Sequence, residues 1–183
     1  MYPTMKRITL LVLTSLFLIS FAESQTTKSN TQNDWKTLDE NGYSIKYPDG
    51  WELNKSGQMG TSFMLLTQLS SAQDKFRENV NLIIQDLTGQ NIDLSKYVEI
   101  SEGQIKSLGA NGNLLESKRL NSNGKNFQKV IYSLKQGIYN LNIEQYYWVE
   151  KDKAFVLTLT CETSEFPKYK ETGEKILNSF KLK

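Results

Sequence analysis

The stretch Asn126–Glu162, NFQKVIYSLKQGIYNLNIEQYYWVEKDKAFVLTLTCE, decides the fold. It holds three runs rich in β-branched, aromatic and aliphatic residues, Asn126 to Gln136, Leu141 to Glu150 and Ala154 to Glu162, parted by short polar breaks. That is the pattern of consecutive antiparallel strands. A four-residue loop after Gln136 sets Val130, Tyr132 and Leu134 opposite Tyr147, Gln145 and Ile143. A three-residue turn at Lys151 to Lys153 then brings Leu157, Leu159 and Cys161 onto that same face. The other face carries Phe127, Ile131, Tyr146, Trp148 and Val156. A sheet apolar on both sides must be covered on both sides.

Working outward, the same strand signals recur upstream: Trp35 to Asp39, Tyr43 to Tyr47, Trp51 to Asn54, Ser62 to Gln68, Val80 to Leu87 and Leu114 to Leu120. Turn dipeptides punctuate them at Asn41-Gly42, Pro48-Asp49-Gly50, Asn111-Gly112 and Asn123-Gly124. Only two segments change to the helical period. Leu94, Tyr97, Val98, Ser101, Ile105 and Leu108 recur at steps of three and four, with Asp93 as N-cap and Gly109 as the stop. Phe166, Tyr169, Gly173, Ile176, Leu177 and Phe180 do the same, with Pro167 in the first turn. The expected fold is α+β, a mainly antiparallel sheet sandwiched between two helices, one per face.

The N-terminus reads differently. Lys6 and Arg7 precede the apolar run Ile8 to Phe21, which ends in small residues suited to signal-peptidase cleavage after Ala22 or Ser24. Residues 1–22 are therefore expected to be a signal peptide and 23–33, which lack apolar residues, a disordered tether. Residues 34–183 are expected to form one domain. The protein is expected to be exported, periplasmic or secreted, with no stable membrane insertion after cleavage. A lipid anchor would need a cysteine just after the apolar run, whereas the single cysteine is Cys161.

Composition narrows the chemistry. The chain carries 22 basic and 20 acidic residues, and loss of Lys6 and Arg7 would make the two equal. With no basic stripe longer than Lys118-Arg119, nucleic acid is excluded as a partner, since such binding rests on phosphate neutralisation. Histidine is absent, which removes the usual general base, the usual transition-metal ligand and the usual pH switch. No motif implies a cofactor or a metal site. Ser122-Asn123-Gly124-Lys125 spells Ser-x-x-Lys, but that chemistry needs a helix N-terminus and Asn-Gly marks a hairpin. Cys161 shares a strand face with Phe155, Leu157 and Leu159, where no base can activate it, and is expected to be structural.

Several of these segments together resemble the PsbP-like superfamily, named for the extrinsic subunit of photosystem II and sharing its fold with a Ran-release factor. They are Tyr43-Ser44-Ile45-Lys46-Tyr47-Pro48-Asp49-Gly50-Trp51, then Phe76-Arg77-Glu78-Asn79-Val80-Asn81-Leu82, the helix from Leu94, and the closing Lys175-Ile176-Leu177-Asn178-Ser179-Phe180-Lys181. The similarity runs from Asn41 to Lys183 and is greatest to small exported bacterial members of uncharacterised role. It implies an α/β/α sandwich, and no catalytic residues come with it. Photosystem and Ran binding are not carried over. Tyr47, Pro48, Gly50 and Trp51 are read as structural, a turn capped by Asp49 and anchored by the tryptophan.

The expected function is that of a non-catalytic accessory or binding module of the cell envelope, whose partner is an envelope protein or a small ligand. A small-molecule or lipid carrier with a cavity between sheet and helix is the alternative, suggested by Tyr97, Tyr132, Tyr147 and Tyr169. An enzyme working without histidine is a third. Loops carry function more often than cores, and the long polar connection Gln68 to Asn79 places Asp74, Lys75, Arg77 and Glu78 as the candidate partner-binding residues.

Overall fold

A computed structural model describes residues 35–122 and 124–183. The expected signal peptide and tether lie outside the described residues. Ten strands and two helices follow one another: β1 Trp35–Asp39, β2 Tyr43–Pro48, β3 Glu52–Asn54, β4 Thr61–Leu66, β5 Asn79–Asp86, α1 Leu94–Ser107, β6 Gly112–Ser122, β7 Lys125–Gln136, β8 Tyr139–Glu150, β9 Lys153–Glu162, α2 Phe166–Asn178 and β10 Lys181–Leu182. The strands form two sheets, one of seven in the order β3-β4-β5-β9-β8-β7-β6 and one of three in the order β1-β2-β10. Every pairing is antiparallel. The protein is an α+β sandwich.

The decisive strands pair consecutively, but both connections are tighter than their sequence suggests. Gln136 pairs with Tyr139 across Gly137-Ile138, a two-residue turn with Gly137 at φ 59°. Val130 therefore faces Gln145 and Tyr132 faces Ile143, two residues away from the expected register, which leaves the faces unchanged. The next turn alters the faces. Glu150 pairs with Lys153 across Lys151-Asp152, whose φ values of 51° and 57° are both positive, as a two-residue hairpin of the right twist requires. Losing one residue from the turn shifts β9 by one, and a one-residue shift turns every side chain over. Leu157, Leu159 and Cys161 thus share a face with Phe127, Tyr146 and Trp148, while Val156 joins Val130, Tyr132 and Tyr147.

Each face has its cover. Over β6, β7 and β8 lies α1, which contributes Tyr97, Val98 and Ile105. Asp93 caps it as expected, its Oδ1 accepting from the Lys96 N–H at 2.8 Å, and Gly109 stops it at φ 57°. Two of the buried tyrosine hydroxyls on this face are hydrogen-bonded: Tyr97 donates to Gln85 Oε1 (2.6 Å) and Tyr147 to Gln145. The Tyr97 and Tyr147 rings meet edge to face at 5.4 Å. Of the tyrosines on which a carrier reading draws, Tyr97, Tyr132 and Tyr147 are buried in this core, whereas Tyr169 is half-buried on the other side of the sheet.

The opposite face is covered by α2 together with the three-stranded sheet, not by a helix alone. Ile45, Tyr47, Ile176 and Leu177 join Leu157 and Leu159 in one core, and Phe180 lies between Tyr43, on which it stacks at 5.6 Å, and Trp148, to which it is tilted at 5.0 Å. Gly173 lets the helix come close: a Cβ there would lie 2.5 Å from Leu159 Cδ2. Two residues of β10 were too short a run to register in the sequence, yet they close β2 from one side. At the Pro48 turn, the Trp51 N–H donates to the Pro48 carbonyl at 3.0 Å and the indole packs edge-on to Tyr169. Asp49, expected to cap that turn, instead ion-pairs with Lys36 of β1.

Candidate functional site

The connection between β4 and β5 is long but not loose. Asp74 organises it: one carboxylate oxygen accepts from the Ser70 N–H (2.9 Å) and hydroxyl (2.8 Å), the other from the Phe76 N–H (3.0 Å). Burial would push this carboxyl up, but the bonds from Ser70 and Phe76 outweigh it and hold it below the ordinary aspartate range. Phe76 plugs the connection onto the α1 side of the sheet against Tyr139, with ring centres 5.3 Å apart.

Arg77 and Glu78 turn inward. The Arg77 guanidinium donates to the Thr67 carbonyl (2.5 Å) and to Glu52 (2.8 Å), and so ties the ends of β3 and β4 to the start of β5. Glu78 is 3% exposed and accepts from the Thr67 hydroxyl at 3.3 Å. Its carboxyl is pushed up by burial first, with the Asp74 and Glu165 charges adding to the effect. Of the four sequence candidates only Lys75 is exposed.

Strand pairing brings a second, distant segment to the same corner. Asn79 pairs with Thr160, so Glu78 lies beside the end of β9 and the start of α2. Glu162 and Glu165 come from there, and Glu162 is raised by burial and then by the Asp74 and Glu165 charges. Lys168, ion-paired with Glu165 at 3.3 Å and 4.7 Å over the Tyr169 ring, is the cation whose charge reaches Asp74. Carboxylates are in excess. Nothing in the sequence announces this meeting, because its halves lie almost ninety residues apart and only the β5–β9 register joins them.

The corner offers charge and hydrogen bonding. Cys161 beneath it is completely buried, and burial, followed by the charges of Glu78, Glu144 and Glu165, pushes its thiol up, away from the reactive thiolate. Among the described residues no group of three or more acidic or cysteine side chains is arranged to hold a metal ion. Ser122 and Lys125 pair directly across a hairpin, with Gly124 in the turn at φ 77°, which removes the geometry that the Ser-x-x-Lys spelling needs. Among the described residues no helix is long and apolar enough to cross a membrane.

A buried ion pair lies deeper. Glu144 on β8 is 0% exposed, and Lys129 on β7 places its Nζ 2.9 Å from Glu144 and 3.0 Å from Glu174 of α2. The Lys129 ammonium is the main partner of this carboxylate, and the Tyr146 side chain beside it contributes a lesser favourable interaction. Burial pushes the Glu144 carboxyl up, and Lys129 offsets this only in part.

Comparison with solved structures places the fold among known ones. CyanoP from Synechocystis sp. PCC 6803 superposes with a TM-score of 0.60 at 14% identity, over 87% of this chain and 98% of that one. LpqN, involved in cell envelope biogenesis of Mycobacterium tuberculosis, gives 0.60 at 16% identity over 82% and 92%. A Pseudomonas aeruginosa protein of unknown function, PA94, gives 0.54 at 13% over 79% and 94%. Comparison with curated protein sequences gives no match. The PsbP family profile matches residues 35–182, every described strand and helix included, and the chain belongs to that family.

Proposed function

We propose that this protein is a non-catalytic accessory module, exported to the cell envelope, that holds a partner protein at the corner formed by the β4–β5 connection and the start of α2. One observation carries the reading: the connection is fixed from within by Asp74, Phe76 and Arg77, yet keeps Lys75 and its polar neighbours outward. A surface already ordered before binding avoids much of the entropic cost of association. Family membership and the fold shared with LpqN, which is involved in cell envelope biogenesis, support the location. The absence of histidine from the chain and the burial of Cys161 support a role without catalysis.

The test is capture from an envelope extract. Lys75→Glu changes an exposed side chain and should leave circular dichroism and melting unchanged while weakening capture severalfold. Arg77→Glu is unsuitable, since it would unclamp β3 and β4. Undiminished capture by the Lys75→Glu variant would move the partner site away from this corner, to Lys55–Gly60 or Gly109–Asn113.

A further inference from the structure

The seven-stranded sheet ends on one side in β3, which is three residues long, and on the other in β6, which has eleven. Strand β6 packs on β7, on α1 and on the turn that precedes it, and among the described residues no strand pairs with its outer edge. Its residues 115–119 are all exposed, and Leu115 is an exposed apolar side chain at a bulge. Long open edges invite pairing, and proteins commonly blunt them with charge. The distribution of charge on β6 does the reverse of blunting with respect to a second copy.

Glu116 and Lys118 point to the α2 side of the sheet and have no ion-pair partner among the described residues. Lys118 is worse than unpaired, because its neighbour across β7 is Lys129, whose charge is already committed to Glu144 and Glu174. Arg119 is different: it lies on the α1 side and donates to Gln128 Oε1 (2.9 Å) and Ser95 Oγ (3.3 Å). Between the two free charges stands Ser117. Counting back from the Ser122–Lys125 pair that closes the hairpin, the alternation of an antiparallel ladder turns the backbone groups of Ser117, Arg119 and Asn121 outward.

We infer that β6 pairs antiparallel with β6 of a second copy of this chain, about a twofold axis at Ser117. Antiparallel partners share a sheet face, so Glu116 then stands opposite Lys118 of the second copy, and Lys118 opposite its Glu116. Leu115 falls opposite the aliphatic stem of Arg119. A twofold interface must be complementary to itself, and the sequence Glu116-Ser117-Lys118 meets that condition at its centre. The bulge beside Leu115 interrupts the ladder beyond these residues, so the dimer is small, transient and sensitive to salt.

Sedimentation velocity over a concentration series, at low salt and at high salt, reads the association. The purified protein should show a monomer–dimer equilibrium that weakens with salt. Glu116→Lys and Lys118→Glu each place like charges opposite one another twice, and should each weaken dimerisation roughly tenfold without altering the melting temperature. An equimolar mixture of the E116K and K118E chains should regain association, as should the E116K/K118E double variant. A wild-type chain monomeric at every concentration, single variants that associate as well as wild type, or a mixture that stays monomeric would each overturn the inference. Association unaffected by these charges would point to a different interface.

Discussion

Lys129→Met tests the buried pair, because among the described residues it removes the one cation that Glu144 touches. Glu144 is 0% exposed and Lys129 14% exposed, and without Lys129 only the weaker interaction with the Tyr146 side chain would remain to hold the carboxylate. Breaking a buried pair by deleting one member costs about 3–5 kcal/mol. Since the Lys129 side chain retains some contact with water, the lower end applies, about 3 kcal/mol, or a fall of roughly 6–12 °C in Tm for a domain of this size. Replacing both members, Lys129→Met with Glu144→Leu, should recover most of that loss, because well-packed apolar residues replace buried ion pairs at little cost. The effect should depend on pH in a defined sense. The folded state raises Glu144 above the ordinary glutamate value, so it keeps its proton to higher pH than the unfolded chain, and stability is lost as pH rises through that window. Without Lys129 the carboxyl is raised further, so the deficit of the variant should be large at pH 8 and shrink towards pH 4. Urea denaturation followed by tryptophan fluorescence, with Trp148 buried on the same face, measures it. A cost under about 1 kcal/mol at pH 7, or one equal at pH 4 and pH 8, would refute the view that Lys129 is what makes Glu144 tolerable.

Other residues give independent checks. Glu78→Gln keeps an acceptor for Thr67 and removes a carboxylate that burial raises; by the same linkage it should raise the Tm at pH 8 and do nothing below pH of about 4, and an equal shift at both would show that the charge is not responsible. Cys161→Ala deletes a buried sulfur and should cost about 1–2 kcal/mol, while the native thiol should resist a thiol reagent until the protein unfolds; rapid native labelling would contradict its burial. Gly173→Ala forces a Cβ to within 2.5 Å of Leu159, an overpacking of about 1–3 kcal/mol against a helix-propensity gain of about 1 kcal/mol. A lowered Tm is expected, and an unchanged one would mean that Leu159 yields without cost.

The elements legible in the sequence were those whose signals are local. The period of α1, its Asp93 cap and its Gly109 stop required no knowledge of the remainder of the chain, and all three stand in the structure. Turn length was not legible in the same way. Lys151-Asp152 lacks the Asn-Gly spelling that advertises two positive φ values, yet both residues adopt them, and that one residue decided which face of β9 meets α2. The three-stranded sheet was hidden for another reason: β10 is two residues long, and its pairing with β2 joins Lys181 to Ser44 across most of the chain. At the candidate site, composition identified the connection as polar, but it could not separate Lys75, which faces water, from Arg77 and Glu78, which pack inward. Polarity marks a residue that needs a partner, and that partner is as readily another part of the same chain as it is a different molecule.

The two surfaces proposed here stand apart on one framework, and the framework constrains how they would act together. The corner is built where β5 and β9 pair, and the open edge is β6, three strands from β9 in the sheet. If two copies join at β6, seven strand steps separate one β9 from the other, roughly 34 Å at the usual spacing. Each step also rotates the sheet by roughly 20–25°, so the two corners would be turned from one another by roughly 150°. They could not close on one face of a single partner. Such a dimer would link two partner molecules, and its strength in doing so would follow the β6 contact, leaving the affinity of each corner unchanged. The E116K and K118E chains separate these contributions, because they retain the corner and lose only the pairing: capture of a single partner should persist in both, while cross-linking of two should vanish and return on mixing.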